Sequence, residues 1–166
     1  MLPISPSTRQ KEIISLVQKI VGDETVLGAQ PLAVYALVLG FIEQESSFRP
    51  DAFANDRRGG SYGLMQLELQ TAYDMGLDSH DDSSVLYDPE TNIRTGYAYL
   101  KWIQKYLLSR GHKDPDDIIA AYNEGVGAVV KGLKDPSYVK GVKRRSARWL
   151  LYLQTQELSP LLPPAA

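Results

Sequence analysis

The sequence predicts an all-α protein of one domain, carrying at most a small irregular hairpin near residues 52–65. Three observations lead there. Apolar residues recur at helical spacing along most of the chain. The pair Asp-Pro opens a helical pattern three times, at Asp88-Pro89, Asp114-Pro115 and Asp135-Pro136. No repeat and no linker-like stretch divides the 166 residues, a length that supports one domain with a real core. Residues 1–158 are expected to form that domain, and 159–166, "SPLLPPAA", a flexible tail.

The first helix follows from Ile13, Leu16, Val17, Ile20 and Val21, with Gly22 placed to end it. The second opens near Pro31 and runs through "LAVYALVLGFIEQES"; it is apolar nearly all round, which predicts a central, buried helix. The segment "RPDAFANDRRGGSYG" is polar and glycine-rich and reads as a loop or the small hairpin. At each Asp-Pro the aspartate can cap free N–H groups, and proline fits the first helical position because its missing N–H is not needed there. The first pair opens a long helix with Ile93, Tyr97, Leu100, Ile103 and Leu107 facing inward, ending near Gly111. The second opens a short helix ending at "AAYNEG", and the third a helix reaching about Glu157.

Composition excludes several classes of function. Eighteen Lys and Arg against twenty Asp and Glu give a formal charge of −2, so no basic field for nucleic acid exists. The absence of cysteine removes disulfides, thiolate nucleophiles and cysteine-based zinc sites. His80 and His112 are the only imidazoles and have no zinc-ligand spacing. "DSHDD", Asp78 to Asp82, offers carboxylates but lacks the glycine at position six of a calcium loop and would put Pro89 at position twelve. No metal and no cofactor is therefore expected. The start of the chain shows no signal peptide, and the longest apolar stretch, around Leu32 to Ile42, is too short to span a bilayer, so stable membrane insertion is not expected.

The stretch "LVLGFIEQESSFRP" carries the first chemical signal. Residues three, four and seven apart share a helix face, so Glu45 lines up with Ile42, Phe41 and Val38. A carboxyl at the end of an apolar stripe is disfavoured as an anion, which raises its pKa toward what a general acid needs near neutral pH. Glu43 points to another face, with Leu39 and Gly40 behind it. The plain alternative is two solvated acids at a helix end. "GLMQ", Gly63 to Gln66, pairs a glycine suited to close approach with an amide that can both donate and accept; a turn into a core helix is its plain alternative. "AAYNEGVG", Ala120 to Gly127, reads equally as a helix C-cap. The basic run "KGVKRRSAR", Lys140 to Arg148, reads as a solvated helix face, or as a patch that holds the protein near anionic envelope polymers.

Taken in order, "ES", "GLMQ", "NI..GYAYL", "AAYN.G.G.V" and "YV" at Tyr138 and Val139 resemble the lysozyme-like soluble lytic transglycosylase catalytic domains, over roughly Leu32 to Val142. The resemblance implies a lysozyme-like fold, peptidoglycan glycan strands as partner, and cleavage of the β-1,4 bond between N-acetylmuramic acid and N-acetylglucosamine with 1,6-anhydro products. It implies that Glu45 is the catalytic acid and base. It further implies that Ser46, Met65, Gln66, Tyr122, Asn123 and Tyr138 contact or border the saccharide, with Ser61 a candidate support for the acid. A monomer acting on the bacterial wall, in the periplasm or outside the cell, is expected. With no export signal visible, a phage lytic protein released from the host cell or carried in the virion is the expected setting, a trimmed leader the alternative.

"GGSYGLMQLELQTA" departs from the usual pattern: Ser61 stands where alanine is common, and the proline expected shortly after "GLMQ" is absent. These departures lean toward goose-type lysozymes, hydrolases related in fold that use extra loop acids to position a water. Asp56 and Glu68 occupy similar places, although surface ion pairing and the helix dipole give both ordinary uses. Two rivals to the transglycosylase therefore stand: a muramidase cutting the same bond, and a non-catalytic glycan-binding or structural module on the same fold.

Overall fold

In a computed structural model, residues 4–23, 29–55 and 59–158 are described. The fold is all-α with one small sheet. Helix α1 spans Thr8–Val21, α2 Pro31–Ser46, α3 Leu69–Asp74, α4 Pro89–Ser109, α5 Pro115–Glu124, α6 Val126–Val130 and α7 Pro136–Leu158. The sheet is antiparallel in the order β1 (Phe53–Ala54), β2 (Ser61–Tyr62), β3 (Leu67–Glu68), pairing Ala54 with Ser61 and Ser61 with Glu68. It continues past residue 65, where the sequence suggested the hairpin would end. The tail at 159–166 and the loop acid Asp56 lie outside the described residues.

All three Asp-Pro starts form as the capping chemistry dictates. Asp88 accepts from Thr91 N at 2.8 Å, Asp114 from Asp116 N at 2.9 Å, and Asp135 from Ser137 N at 2.8 Å and Tyr138 N at 3.2 Å. Helix α1 opens on a capping box between Ser7 and Gln10 and ends at Gly22. Helix α3 is the one that the turn after "GLMQ" leads into, whereas α6 and a 3-10 turn at Ser83–Tyr87 were not expected from the sequence. They are too brief to show a helical period, and glycines interrupt "EGVGAVV".

Helix α2 is the buried centre. Val38, Leu39, Phe41 and Ile42 have no exposed surface, and α7 lies directly against the helix. Gly40 permits that approach: a Cβ there would meet Ser146 Oγ at 2.1 Å and the backbone oxygen of Val142 at 3.1 Å. The close crossing brings the first turn and the middle of α7 to bear on the C-terminal turn of α2. Among the described residues no helix is long and apolar enough to cross a membrane.

Candidate active site

Two acids two residues apart on α2 meet different parts of α7. Glu43 accepts from the Trp149 indole N–H at 2.8 Å and pairs with Arg148 at 3.3 Å. Trp149 is almost wholly buried, so Glu43 satisfies an indole that has left water. Glu45 instead accepts from the hydroxyl of Tyr138, on the first turn of α7. Neither acid is a freely solvated helix-end residue. Asp135 fixes the turn that carries Tyr138 by capping its backbone N–H.

Burial pushes the Glu45 carboxyl above its ordinary pKa, and the Tyr138 hydrogen bond works in the other direction without cancelling it. Tyr138 is itself pushed far up, first by burial and then by the charge of Glu45 and the bond to it. Tyr122 is also raised well above ordinary phenols, by burial, then by Glu45 and Tyr99. Both phenols thus remain O–H donors over the whole range in which Glu45 can change charge. The result is a carboxyl biased to hold a proton, gripped at Oε1 by a donor that cannot lose its own.

The "GLMQ" turn is tied through its backbone to Tyr122, the phenol that feels the charge of Glu45. Gly63 has a φ of 74°, and a Cβ there would lie 2.2 Å from the Leu86 carbonyl oxygen. Asn92, fully buried, takes the remaining groups: its Oδ1 accepts from Met65 N at 2.8 Å, and its Nδ2 donates to Tyr62 O at 2.9 Å and Leu86 O at 2.8 Å. Tyr122 then donates to Met65 O at 2.8 Å, and its ring packs on Phe41 at 4.7 Å and Tyr99 at 5.5 Å between centroids. A chain of contacts therefore runs from α2 through α5 to the turn.

The structure brings Glu45, Tyr138 and Tyr122 together. Gln66, Glu68, Tyr122 and Asn123 border one polar cavity of about 80 Å³, with Thr71 and Tyr99 completing its wall. Gln66 has a φ of 48°, and its Nε2 donates to Gly63 O at 3.0 Å and Ala52 O at 3.2 Å. Both of its amide hydrogens thus brace the loop, which leaves the amide oxygen for a ligand. Ser61 lies mid-sheet opposite Glu68.

Two expected contact residues lie elsewhere. Met65 is 0 % exposed and its sulfur fills the space over Gly96, so its side chain belongs to the core and not to a groove wall. Ser46 is 3 % exposed and returns its hydroxyl to Ile42 O at 3.1 Å, which ties up the group a sugar would need. Asn92 was quoted in the sequence pattern without a role of its own. Its signal was an amide on the buried side of an apolar helix stripe, one turn before Gly96.

A cavity of about 600 Å³ lies apart, between α5 and α7, lined by Asp114, Asp116, Lys134, Val139 and Lys143 among others. It holds neither Glu45 nor an aromatic wall, and Lys143 already pairs with Asp116 at 2.9 Å there. The basic run is in part internally neutralised, since Arg148 serves Glu43. Among the described residues no cluster of His, Asp or Glu has the arrangement of a metal site.

Comparison with known proteins matches the transglycosylase SLT domain model to residues 28–142. The membrane-bound lytic murein transglycosylase C of Mannheimia succiniciproducens is 37% identical over 105 residues, covering 58% of this chain and 28% of its own length. That of Actinobacillus pleuropneumoniae is 34% identical over 134 residues, covering 74% and 33%. The chain thus spans a third or less of these relatives. The soluble lytic transglycosylase SLT70 of Escherichia coli superposes with a TM-score of 0.55 at 21% identity, over 86% of this chain and 24% of that one.

Proposed function

The chain belongs to the transglycosylase SLT domain family, and from that premise we propose that it is a peptidoglycan lytic transglycosylase with Glu45 as its one acid and base. The observation that carries the reading is the Glu45–Tyr138 pair: a carboxyl raised by burial, oriented by a phenol that stays protonated. The names of the curated relatives, which are lytic murein transglycosylases, support the same substrate.

In this mechanism Glu45 gives its proton to the oxygen linking N-acetylmuramic acid to N-acetylglucosamine. The C1–O bond breaks, the N-acetylglucosamine leaves with a free 4-hydroxyl, and positive charge develops at C1. The Glu45 carboxylate then takes the proton from the muramoyl C6 hydroxyl, whose oxygen closes on C1. The product is the 1,6-anhydro sugar, and Glu45 ends protonated as it began. One carboxyl suffices because the nucleophile is part of the substrate and already held near the reacting carbon. Tyr138 steadies Glu45 in both charge states. In this reading the Gln66 amide oxygen and Asn123, which border the polar cavity, meet sugar hydroxyls or an acetamido group.

A second reading, the goose-type hydrolase, has one observation in its favour: Glu68 borders the same cavity as Tyr122 and Asn123. An inverting hydrolase needs a second carboxylate about 6.5–9.5 Å from the first to hold a water. Mass spectrometry of digested peptidoglycan separates the two, because a hydrolase product is heavier by one water. The expected products are 1,6-anhydromuropeptides, absent from a digest with Glu45→Gln, and Glu68→Gln and Asp56→Asn should keep turnover within about tenfold. A digest dominated by reducing-end muramic acid, together with an inactive Glu68→Gln or Asp56→Asn, would establish the hydrolase. A folded chain that releases nothing but retains glycan would leave the binding module.

A further inference from the structure

Helix α4 carries three aromatic side chains at the margin of its core face, Tyr99 and Tyr106 partly buried against the core and Trp102 exposed. Tyr99, Trp102 and Tyr106 stand three and four residues apart and so share one side of the helix. Their rings lie nearly parallel: Tyr99 and Trp102 are 5.9 Å apart at 16°, Trp102 and Tyr106 5.4 Å apart at 24°. Arg110 sits 5.3 Å over the Tyr106 ring and closes the row. Trp102 is 41% exposed, although a buried tryptophan would remove far more apolar surface from water. The inner end of the row is continuous with the candidate site, since Tyr99 borders the polar cavity and its ring packs on Tyr122.

We propose that Tyr99, Trp102 and Tyr106 form an aromatic track that binds pyranose rings of the glycan strand beyond the bond being cut. The proposal rests on the glycan reading of the site. The chemistry suits the occupant: a sugar ring presents a face of C–H groups that packs on the aromatic surface the stack leaves open, chiefly that of Trp102, while its hydroxyls stay at the edge in water. From Tyr99 to Tyr106 is seven residues, about 10 Å along the helix axis, room for about two sugar rings in a row. An apolar peptide or a second copy of the chain would better match a broad apolar patch than a single file of rings beginning at a polar cavity. The contact energy lies in Trp102, the largest and most exposed ring of the three, in keeping with the weight tryptophan carries in binding sites.

The test uses the full chain carrying Glu45→Gln, titrated with peptide-free glycan strands of eight or more sugars and, separately, with a single disaccharide. Trp102 and Trp149 are the only tryptophans, and Trp149 is buried against Glu43, so emission changes on binding report Trp102. Long strands should shift the emission to shorter wavelength, and the disaccharide should not. Adding Trp102→Ala should weaken long strands about tenfold, leave the disaccharide unchanged, and hold the melting temperature within a few degrees. Tyr106→Ala should give a smaller loss of the same kind, and it decides the matter if Trp102→Ala fails to fold. Calorimetric binding of long strands with unmoved emission and undiminished affinity in both variants would overturn the track and leave the catalytic reading intact. An emission shift that follows protein concentration and not glycan would make the face a self-contact and also overturn it. Absence of binding combined with absence of cleavage by the unsubstituted chain would remove the functional reading itself.

Discussion

Replacing Tyr138 with Phe keeps the ring and deletes the single hydroxyl that reaches Glu45. A hydrogen bond to a charged group contributes about 1.5–3 kcal/mol, and one to a neutral group about 1 kcal/mol. The destabilisation should therefore be near 1 kcal/mol in acid, where Glu45 is neutral, and about 2 kcal/mol or more once it ionises. For a chain of this size the larger figure corresponds to a melting temperature lower by about 4–8 °C. The sign of the pH effect follows from linkage. Glu45 has a folded pKa above its unfolded one, so it supports stability at low pH and that support is lost as pH rises through the folded value. Tyr138 partly opposes the rise, so its removal moves the folded pKa further up and steepens the loss. In the rate profile the alkaline limb reports the acid that must be protonated, and it should move to higher pH in Tyr138→Phe. Turnover at the optimum should fall about ten- to hundredfold, since a freely rotating carboxyl no longer points at the glycosidic oxygen. Thermal melts from acid to alkaline pH and a pH-rate profile on purified peptidoglycan read both effects. An alkaline limb that stays in place or moves to lower pH would refute the assignment of Tyr138 as the partner that holds the acid.

Glu45→Gln should melt above the unsubstituted chain at alkaline pH and at the same temperature in acid, because the amide still accepts from Tyr138 but never bears the buried charge; differential scanning calorimetry at both ends of the range checks it. Asn92→Ala leaves Met65 N, Tyr62 O and Leu86 O without their partner and should cost at least about 3 kcal/mol, with turnover falling alongside stability in denaturant melts and dye-release assays. Glu43→Gln keeps an acceptor for the Trp149 indole but loses the pairing with Arg148, so stability should fall by about 1 kcal/mol and turnover by less than about threefold. A loss of turnover in Glu43→Gln equal to that of Glu45→Gln would mean that the wrong acid had been chosen.

Helix starts and the position of the acid were readable because they depend on neighbours in sequence. Each Asp-Pro pair carries its own cap, and the 3.6-residue period alone puts Glu45 and Glu43 on different sides of α2. What each acid meets depends on α7, far along the chain, and no local pattern specifies that Trp149 would need an acceptor or that Tyr138 would supply a donor. Met65 and Ser46 illustrate the opposite limit. Both were expected to border the saccharide, yet the motif at Met65 acts through its backbone, bonded to Asn92 and Tyr122, while Ser46 closes a bond inside its own helix. Gln66 is intermediate: its position on the cavity was legible, but its positive φ and the binding of its amide to the loop were not. The aromatic row on α4 went unread beside the inward stripe of the same helix, and the three-dimensional exposure of Trp102 is what distinguishes it from a core stripe.

The distance in sequence between Glu45 and its donor has a consequence for when the site comes into being. Tyr138 lies 93 residues after the acid, and Trp149, which engages Glu43, lies 106 residues after that neighbour. During synthesis α2 emerges long before α7 exists. Until α7 docks, the end of α2 has no phenol to orient Glu45 and its apolar flank stays wet, so the carboxyl titrates as an ordinary glutamate and is ionised at neutral pH. The site is therefore complete no earlier than the docking of α7 on α2. A nascent chain, or one clipped ahead of α7, would hold the acid without the burial and the phenol that raise and orient it, so the activity proposed for the site would be absent from every form in which α7 has not docked.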